Sequence, residues 1–248
     1  MSRSPIPRVL STFRECGVEA LLMGGQACIL YGAAEFSRDV DFAVLASPEN
    51  LERLRRALEE LLAEVIAVPP FEPRYLERGH AVHFRAHHPQ AEGFRIDVMS
   101  NLRGVEPFPR LWERRTTFDL GDVGAVDALS LPDLVASKKT QRDKDWVMIR
   151  RLLEASYAQG AASPTPEQVV FWLSELRTPE ILIACAESHS GEAERVADVR
   201  PAAAAAIAAD LDVVTDALAE EEAQERALDR DYWAPLRVEL EKMRQQGR

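Results

Sequence analysis

The chain has 248 residues, 46% of them hydrophobic and 29% charged, which suits one large or two small globular domains with a substantial core. No apolar run approaches the roughly 20 residues a membrane span needs, and Met1 to Arg8 lacks the apolar stretch of a secretory signal. The net charge of −11 is uneven: from Gln159 onward 18 acidic and 9 basic residues leave −9, against −2 for the rest. This balance excludes a chain that coats nucleic acid along its whole length, while a local basic surface in the first part stays open.

Pro5 to Cys16 reads as a first helix with Val9, Leu10 and Phe13 on one side, stopped by Gly17. Val18 to Met23 is a short apolar run expected as a buried strand. Gly24-Gly25 then makes a turn, and Gln26 to Tyr31 a short helix closed by Gly32. Val40 to Leu45 is the next strand, entered through Asp39 and Asp41. Ser47 caps a strong helix with Pro48 at its first position and Leu51, Leu54, Leu58, Leu61 and Leu62 on its buried face. Pro69-Pro70 breaks the chain. Two strands follow, Ala81–Ala86 and Phe94–Met99, joined by a turn over residues 87–93. Short β-like stretches lie at Thr116–Leu120 and Gly124–Leu129.

Ser130-Leu131-Pro132-Asp133 has the form of a helix start, and the helix is expected to run to about Gln141, with another, or its continuation, through Trp146, Ile149, Leu152 and Leu153. From Ser163 alanine, leucine and glutamate dominate and β-type sequence vanishes. Pro164 and Pro166 mark a linker, and the alanine run after Pro201 begins a helix. The expectation is an α/β (α+β) fold, with a mixed sheet flanked by helices in a core domain over 1–160 and a helical C-terminal domain over 161–248. Cys16, Cys28 and Cys185 are odd in number, far apart and set among apolar residues, without zinc-ligand spacing. They read as buried free thiols of a reducing cytoplasm.

The chemistry centres on Asp39-Val40-Asp41. On a strand, residues i and i+2 share a face, and two adjacent carboxylates ionise together most easily with a cation between them. Oxygen-only ligands favour magnesium or manganese over zinc. Asp-x-Asp occurs four times, at 39/41, 143/145, 210/212 and 229/231. The last two pairs lie in helical sequence and are expected on charged, solvated faces. Only the first opens an apolar strand after a strand, a Gly-Gly turn and a short helix. Gly24-Gly25 can present backbone N–H groups to a phosphate without side-chain obstruction. A third carboxylate, Asp97, interrupts the apolar strand Phe94–Met99, where it needs a partner. If that strand neighbours Val40–Leu45, three carboxylates face one site and can hold two divalent ions. His80, His83, His87 and His88 lack a partner motif and are expected as surface or packing residues.

Met23-Gly24-Gly25-Gln26-Ala27, Phe36-Ser37-Arg38-Asp39-Val40-Asp41-Phe42 and Ile96-Asp97-Val98 together resemble the DNA polymerase β-like nucleotidyltransferase superfamily. The Phe-Ser-x-Asp-x-Asp-Phe form looks most like the AbiEii toxin group and related bacterial nucleotidyltransferases. The segment Ser130 to Lys138, with Arg142 and Lys144-Asp145 behind it, looks like that group's lysine-bearing helix. The resemblance covers about residues 18–155. It departs from the pattern at Gln26, where many members carry serine, and at Glu35, where the AbiEii group usually has arginine.

The resemblance implies transfer of a nucleoside monophosphate from an NTP to a hydroxyl, with release of pyrophosphate. Asp39, Asp41 and Asp97 would be the catalytic and metal-binding residues for Mg2+ or Mn2+. Gly24, Gly25, Ser37 and Lys138 would contact the nucleotide. Lys138, Arg142 and Asp145 share a face if their helix is unbroken, whereas Lys139 and Lys144 are expected as solvated surface charges. The acceptor is open among a small molecule, tRNA and protein. Two other readings also stand: a toxin held by an antitoxin partner, and a non-catalytic nucleotide-binding module.

Overall fold

The computed structural model describes residues 4–34 and 36–246. They form a mixed α/β architecture that divides into two compact units, one of Met1–Leu30, Ala34–Ser137 and Tyr232–Arg248, the other of Tyr31–Ala33 and Lys138–Asp231. The expected boundary near residue 160 coincides with the end of a long helix inside the second unit.

The first unit runs α1 (Ile6–Glu15), β1 (Ala20–Met23), α2 (Gly24–Leu30), β2 (Asp39–Val44), α3 (Pro48–Glu60), β3 (Glu64–Val65), α4 (Pro73–Glu77), β4 (Val82–Arg85), β5 (Arg95–Met99), α5 (Phe108–Glu113), β6 (Thr116–Asp119), β7 (Ala125–Ala128) and α6 (Leu131–Ser137). Its strands make one seven-stranded sheet in the order β3-β4-β5-β2-β1-β7-β6. β2 pairs with β5 and β1 with β7 in parallel, and the other neighbours are antiparallel. The central strands are short and apolar, as expected for strands covered on both faces. Leu21, Leu22, Val40, Phe42, Ile96 and Val98 are all buried, and Phe13 of α1 stacks on Phe42 at 4.4 Å between ring centroids.

α3 begins as its sequence dictates. Ser47 is extended, its hydroxyl accepts from the Asn50 N–H at 3.2 Å, and Pro48 occupies the first turn. Leu51, Leu54, Leu58 and Leu61 are buried. Leu62, expected on the same face, is 56% exposed, because the helix has ended and Leu62 turns the chain with φ +51°. Asn50 is fully buried and ties this helix to two chain segments. Its Nδ2 donates to the carbonyls of Glu19 and Leu45, both at 2.9 Å, and its Oδ1 accepts from the Glu19 N–H at 2.7 Å. A buried group left without its partner costs about 1–3 kcal/mol. Asn50→Ala is therefore expected to lower stability by roughly 2–3 kcal/mol in urea denaturation, and a change under about 0.5 kcal/mol would show that water replaces these bonds.

At the start of α6 the Ser130 hydroxyl accepts from the Asp133 N–H at 3.3 Å and donates to the Asp133 carboxylate at 2.6 Å. The helix stops at Ser137 rather than continuing to Gln141. Residues 138–142 form a turn closed from the next helix: Trp146 Nε1 donates to the Thr140 carbonyl at 2.6 Å, and the Thr140 hydroxyl donates to Asp145 at 2.6 Å.

The second unit contains α7 (Asp143–Gly160), α8 (Pro166–Glu175), α9 (Pro179–Ser188), α10 (Ser190–Ala197), α11 (Pro201–Ile207) and most of α12 (Leu211–Gln246), whose residues from Tyr232 count with the first unit. α8 opens with a full capping box, Thr165 and Gln168 satisfying each other's backbone N–H groups. The alanine helix after Pro201 is brief, ending at Ile207 with Ala208 as its C-cap, before Ala209 adopts φ +54°. Asp210 then caps α12, its carboxylate accepting from the Val213 N–H at 3.2 Å. Asp229, expected on a solvated face, is 2% exposed and accepts from the backbone and side-chain amides of Gln141 at 2.9 and 3.2 Å. Cys28 and Cys185 are buried as expected, but Cys16 is half-exposed, its thiol 3.5 Å from Glu60. Among the described residues no helix is long and apolar enough to cross a membrane.

Candidate functional site

Side chains on a strand alternate, and β2 uses both faces. Val40 and Phe42 are buried on one, which puts Asp39 and Asp41, both half-buried, on the other. Across the parallel pair, Asp41 stands in register with Asp97 and Asp39 with Arg95. Laterally paired residues share a face, so all three expected carboxylates belong to one patch. The row through Asp41 continues to Met23 of β1 on one side and, beyond Asp97, to His83 of β4 on the other. The row through Asp39 and Arg95 continues to Arg85 of β4 and Glu64 of β3.

The Gly-Gly pair is demanded by this patch. Gly24 has φ +66°, which side chains disfavour, and a Cβ there would overlap the Asp41 carboxylate. A Cβ on Gly25 would overlap the Ser37 hydroxyl. Gly24 is the first residue of α2 rather than part of a preceding turn. Ser37 donates from its hydroxyl to the Asp39 backbone carbonyl at 3.1 Å and lies 3.0 Å from the Asp39 carboxylate. In this structure Ser37 therefore orients Asp39. Gln26 is buried, with its amide 3.5 Å from the same carbonyl. Glu35 lies outside the described residues.

Asp97 is 8% exposed and fully engaged. Arg95 grips it with two parallel bonds, Nε to Oδ1 at 2.7 Å and Nη2 to Oδ2 at 2.8 Å. His83 Nδ1 stands 2.9 Å from Oδ1 and 3.0 Å from Arg95 Nη2. Burial alone pushes the Asp97 carboxyl up, but the hydrogen bonds from His83 and Arg95 outweigh it and hold the value below the ordinary carboxylate range. His83, expected as a surface or packing residue, and Arg95, to which the sequence assigns no role, both belong to the site. Arg95 was within reach of the period-two rule, since it precedes Asp97 by two residues on the same strand. His83 needed the β4–β5 register.

Among the described residues no three His, Cys, Asp or Glu side chains stand in a metal-ligating arrangement. The Asp41 carboxylate lies over Gly24, and that of Asp97 is turned to Arg95 and His83. The donor set nevertheless fits a hard divalent cation, being three carboxylates on one face with two of them laterally paired.

Lys138 belongs to the second unit. It follows the last residue of α6 instead of lying two turns inside an unbroken helix, and its ammonium sits 3.7 Å from Asp145, both side chains being largely buried. Arg142 reaches the same carboxylate at 2.7 Å. Lys139, expected to be solvated, is tucked against Glu175 at 2.8 Å with 16% of its side chain exposed. Helical spacing does not apply across a broken helix, so the shared face expected for Lys138, Arg142 and Asp145 gives way to convergence on Asp145 through a turn. No protein-family model matches this chain, and no curated protein does either.

Proposed function

We propose that the protein is a metal-dependent nucleotidyltransferase of the polymerase β-like fold, moving a nucleoside monophosphate from an NTP to a hydroxyl. The observation that carries the reading is the register of β2 on β5, which sets Asp39, Asp41 and Asp97 on one sheet face beside Gly24 and Gly25. Asp39, oriented by Ser37, and Asp41, seated over Gly24, would hold the cations, with Asp97 joining them. Bound magnesium or manganese supplies neutralisation of the triphosphate and a lowered pKa at the attacking hydroxyl. The acceptor oxygen bonds to the α-phosphorus, the bond from that phosphorus to the β-bridging oxygen breaks, and pyrophosphate leaves with that oxygen. Asp97 accepts the hydroxyl proton. One observation favours a second reading, nucleotide binding without transfer: both Asp97 oxygens are already occupied by Arg95 and His83.

A panel of NTPs labelled at the α- or the γ-phosphate, offered with Mg2+ or Mn2+ to small hydroxyl compounds, tRNA and protein, separates these readings. Transfer of α-label but not γ-label to one acceptor class supports the enzyme. Nucleotide binding with no transfer to any class supports the second reading, and the absence of both overturns the two together.

A further inference from the structure

We propose that Arg95 is a built-in gate on the third carboxylate: its guanidinium occupies Asp97 until the phosphates of an incoming nucleotide draw it away, so that divalent metal and nucleotide bind together rather than in turn. The proposal rests on the nucleotidyltransferase reading and adds an order of events to it.

The geometry of the pair points this way. Arg95 places one N–H on each oxygen of Asp97, so a fixed positive charge stands against both oxygens and opposes a hard cation there while the fork is closed. A guanidinium does not lose its proton, so the competition ends only when the side chain moves. It is free to do so. Asp97 is buried, but 43% of the Arg95 side chain is exposed, and its backbone is laterally paired with Asp39 at the edge of the same patch. A triphosphate offers what Asp97 offers, paired anionic oxygens that a planar fork binds bidentately. A nucleotide arriving at the patch would therefore exchange partners with the arginine, taking the guanidinium and leaving Asp97 to the metal. His83 contacts Oδ1 alone, so Oδ2 is controlled by Arg95. Arg95 acts here as a positioning residue, through Asp97, and no bond in the transfer is made or broken by it.

Arg85 supplies the control. It is paired with Arg95 in the same row, one strand further out, and is exposed. R85Q removes an equal charge from the same face without opening the fork on Asp97. The test is Mn2+ alone, titrated at one fixed pH by electron paramagnetic resonance into the full-length wild type, R95Q and R85Q. It is paired with calorimetry of α,β-methylene nucleoside triphosphates in saturating Mn2+. R95Q is expected to bind Mn2+ alone about ten- to hundredfold more tightly than wild type, the range one charge-assisted hydrogen bond spans, and to bind the nucleotide analogue more weakly by a similar factor. R85Q is expected to stay within about threefold of wild type in both. Arg95→Lys, which cannot close a two-pronged fork, is expected to fall between, and serves if R95Q fails to fold. If wild type binds the Mn2+–nucleotide pair while R95Q binds Mn2+ alone no better than wild type, the gate is wrong and the proposed function stands. If R85Q and R95Q shift alike, the effect is bulk charge and the gate is again wrong. If wild type binds neither metal nor nucleotide, the functional reading falls and the gate falls with it.

Discussion

Asp41→Asn is expected to abolish metal-dependent nucleotide transfer while leaving the protein folded. Asparagine keeps the shape that fills the space over Gly24 and removes only the charge. Asp41 is laterally paired to Asp97 and lies two residues along β2 from Asp39, on the same face. A cation shared between the carboxylates therefore depends on it more than on either neighbour. Charge stabilisation by a bound metal contributes several kcal/mol to a transition state of this kind, so the loss corresponds to roughly three orders of magnitude in rate. Labelled-nucleotide transfer reads the effect, and thermal denaturation checks the fold. A folded variant that keeps more than about a tenth of wild-type transfer would show that the charge of Asp41 is not what the site uses.

Arg200→Ala is expected to be the most damaging single change in the second unit. The residue is 6% exposed, yet each arm of its guanidinium has a partner. Nη1 donates to the Leu173 carbonyl at 2.6 Å and Nη2 to the Leu176 carbonyl at 2.9 Å, which satisfies the open end of α8. Nε and Nη2 bind the two oxygens of Glu221 at 3.1 and 3.0 Å. Glu221 also receives Arg177 at 2.9 Å, and burial, with Arg200 close by, pushes the Arg177 value down. Truncation at 200 would strand two carbonyls and leave Glu221 with one cation. Removing one member of a buried ion pair costs about 3–5 kcal/mol, mostly because the surviving charge stays buried. Chemical denaturation should show that loss. Glu221→Ala on the same background should add less than it does alone, since the two share one interaction. A loss under about 1 kcal/mol for Arg200→Ala would mean that water replaces the guanidinium.

Much of the local structure was legible in the residues themselves. Ser47-Pro48 and Ser130-x-x-Asp133 announced their helices because a cap acts over three residues, a range that sequence spacing encodes directly. The alternation of Val40 and Phe42 with Asp39 and Asp41 announced two faces for the same reason. The errors cluster where a distant segment intervenes. Leu62 belonged to the leucine pattern but not to the helix. The helix before Lys138 ended early because Trp146 and Asp145 pull on Thr140. Lys139 and Asp229 were read as solvated because their partners, Glu175 and Gln141, are remote in sequence.

The candidate site divides along the same line. Short-range stereochemistry made Asp39, Asp41, Gly24 and Gly25 visible as a group, since alternation on a strand and the absence of a Cβ are properties of neighbouring residues. The lateral pairing of Asp41 with Asp97, the grip of Arg95 and the contact of His83 were decided only by the tertiary structure. Strand pairing is set by which apolar faces bury together across the whole sheet, and a shift of one residue would turn Asp97 to the opposite face.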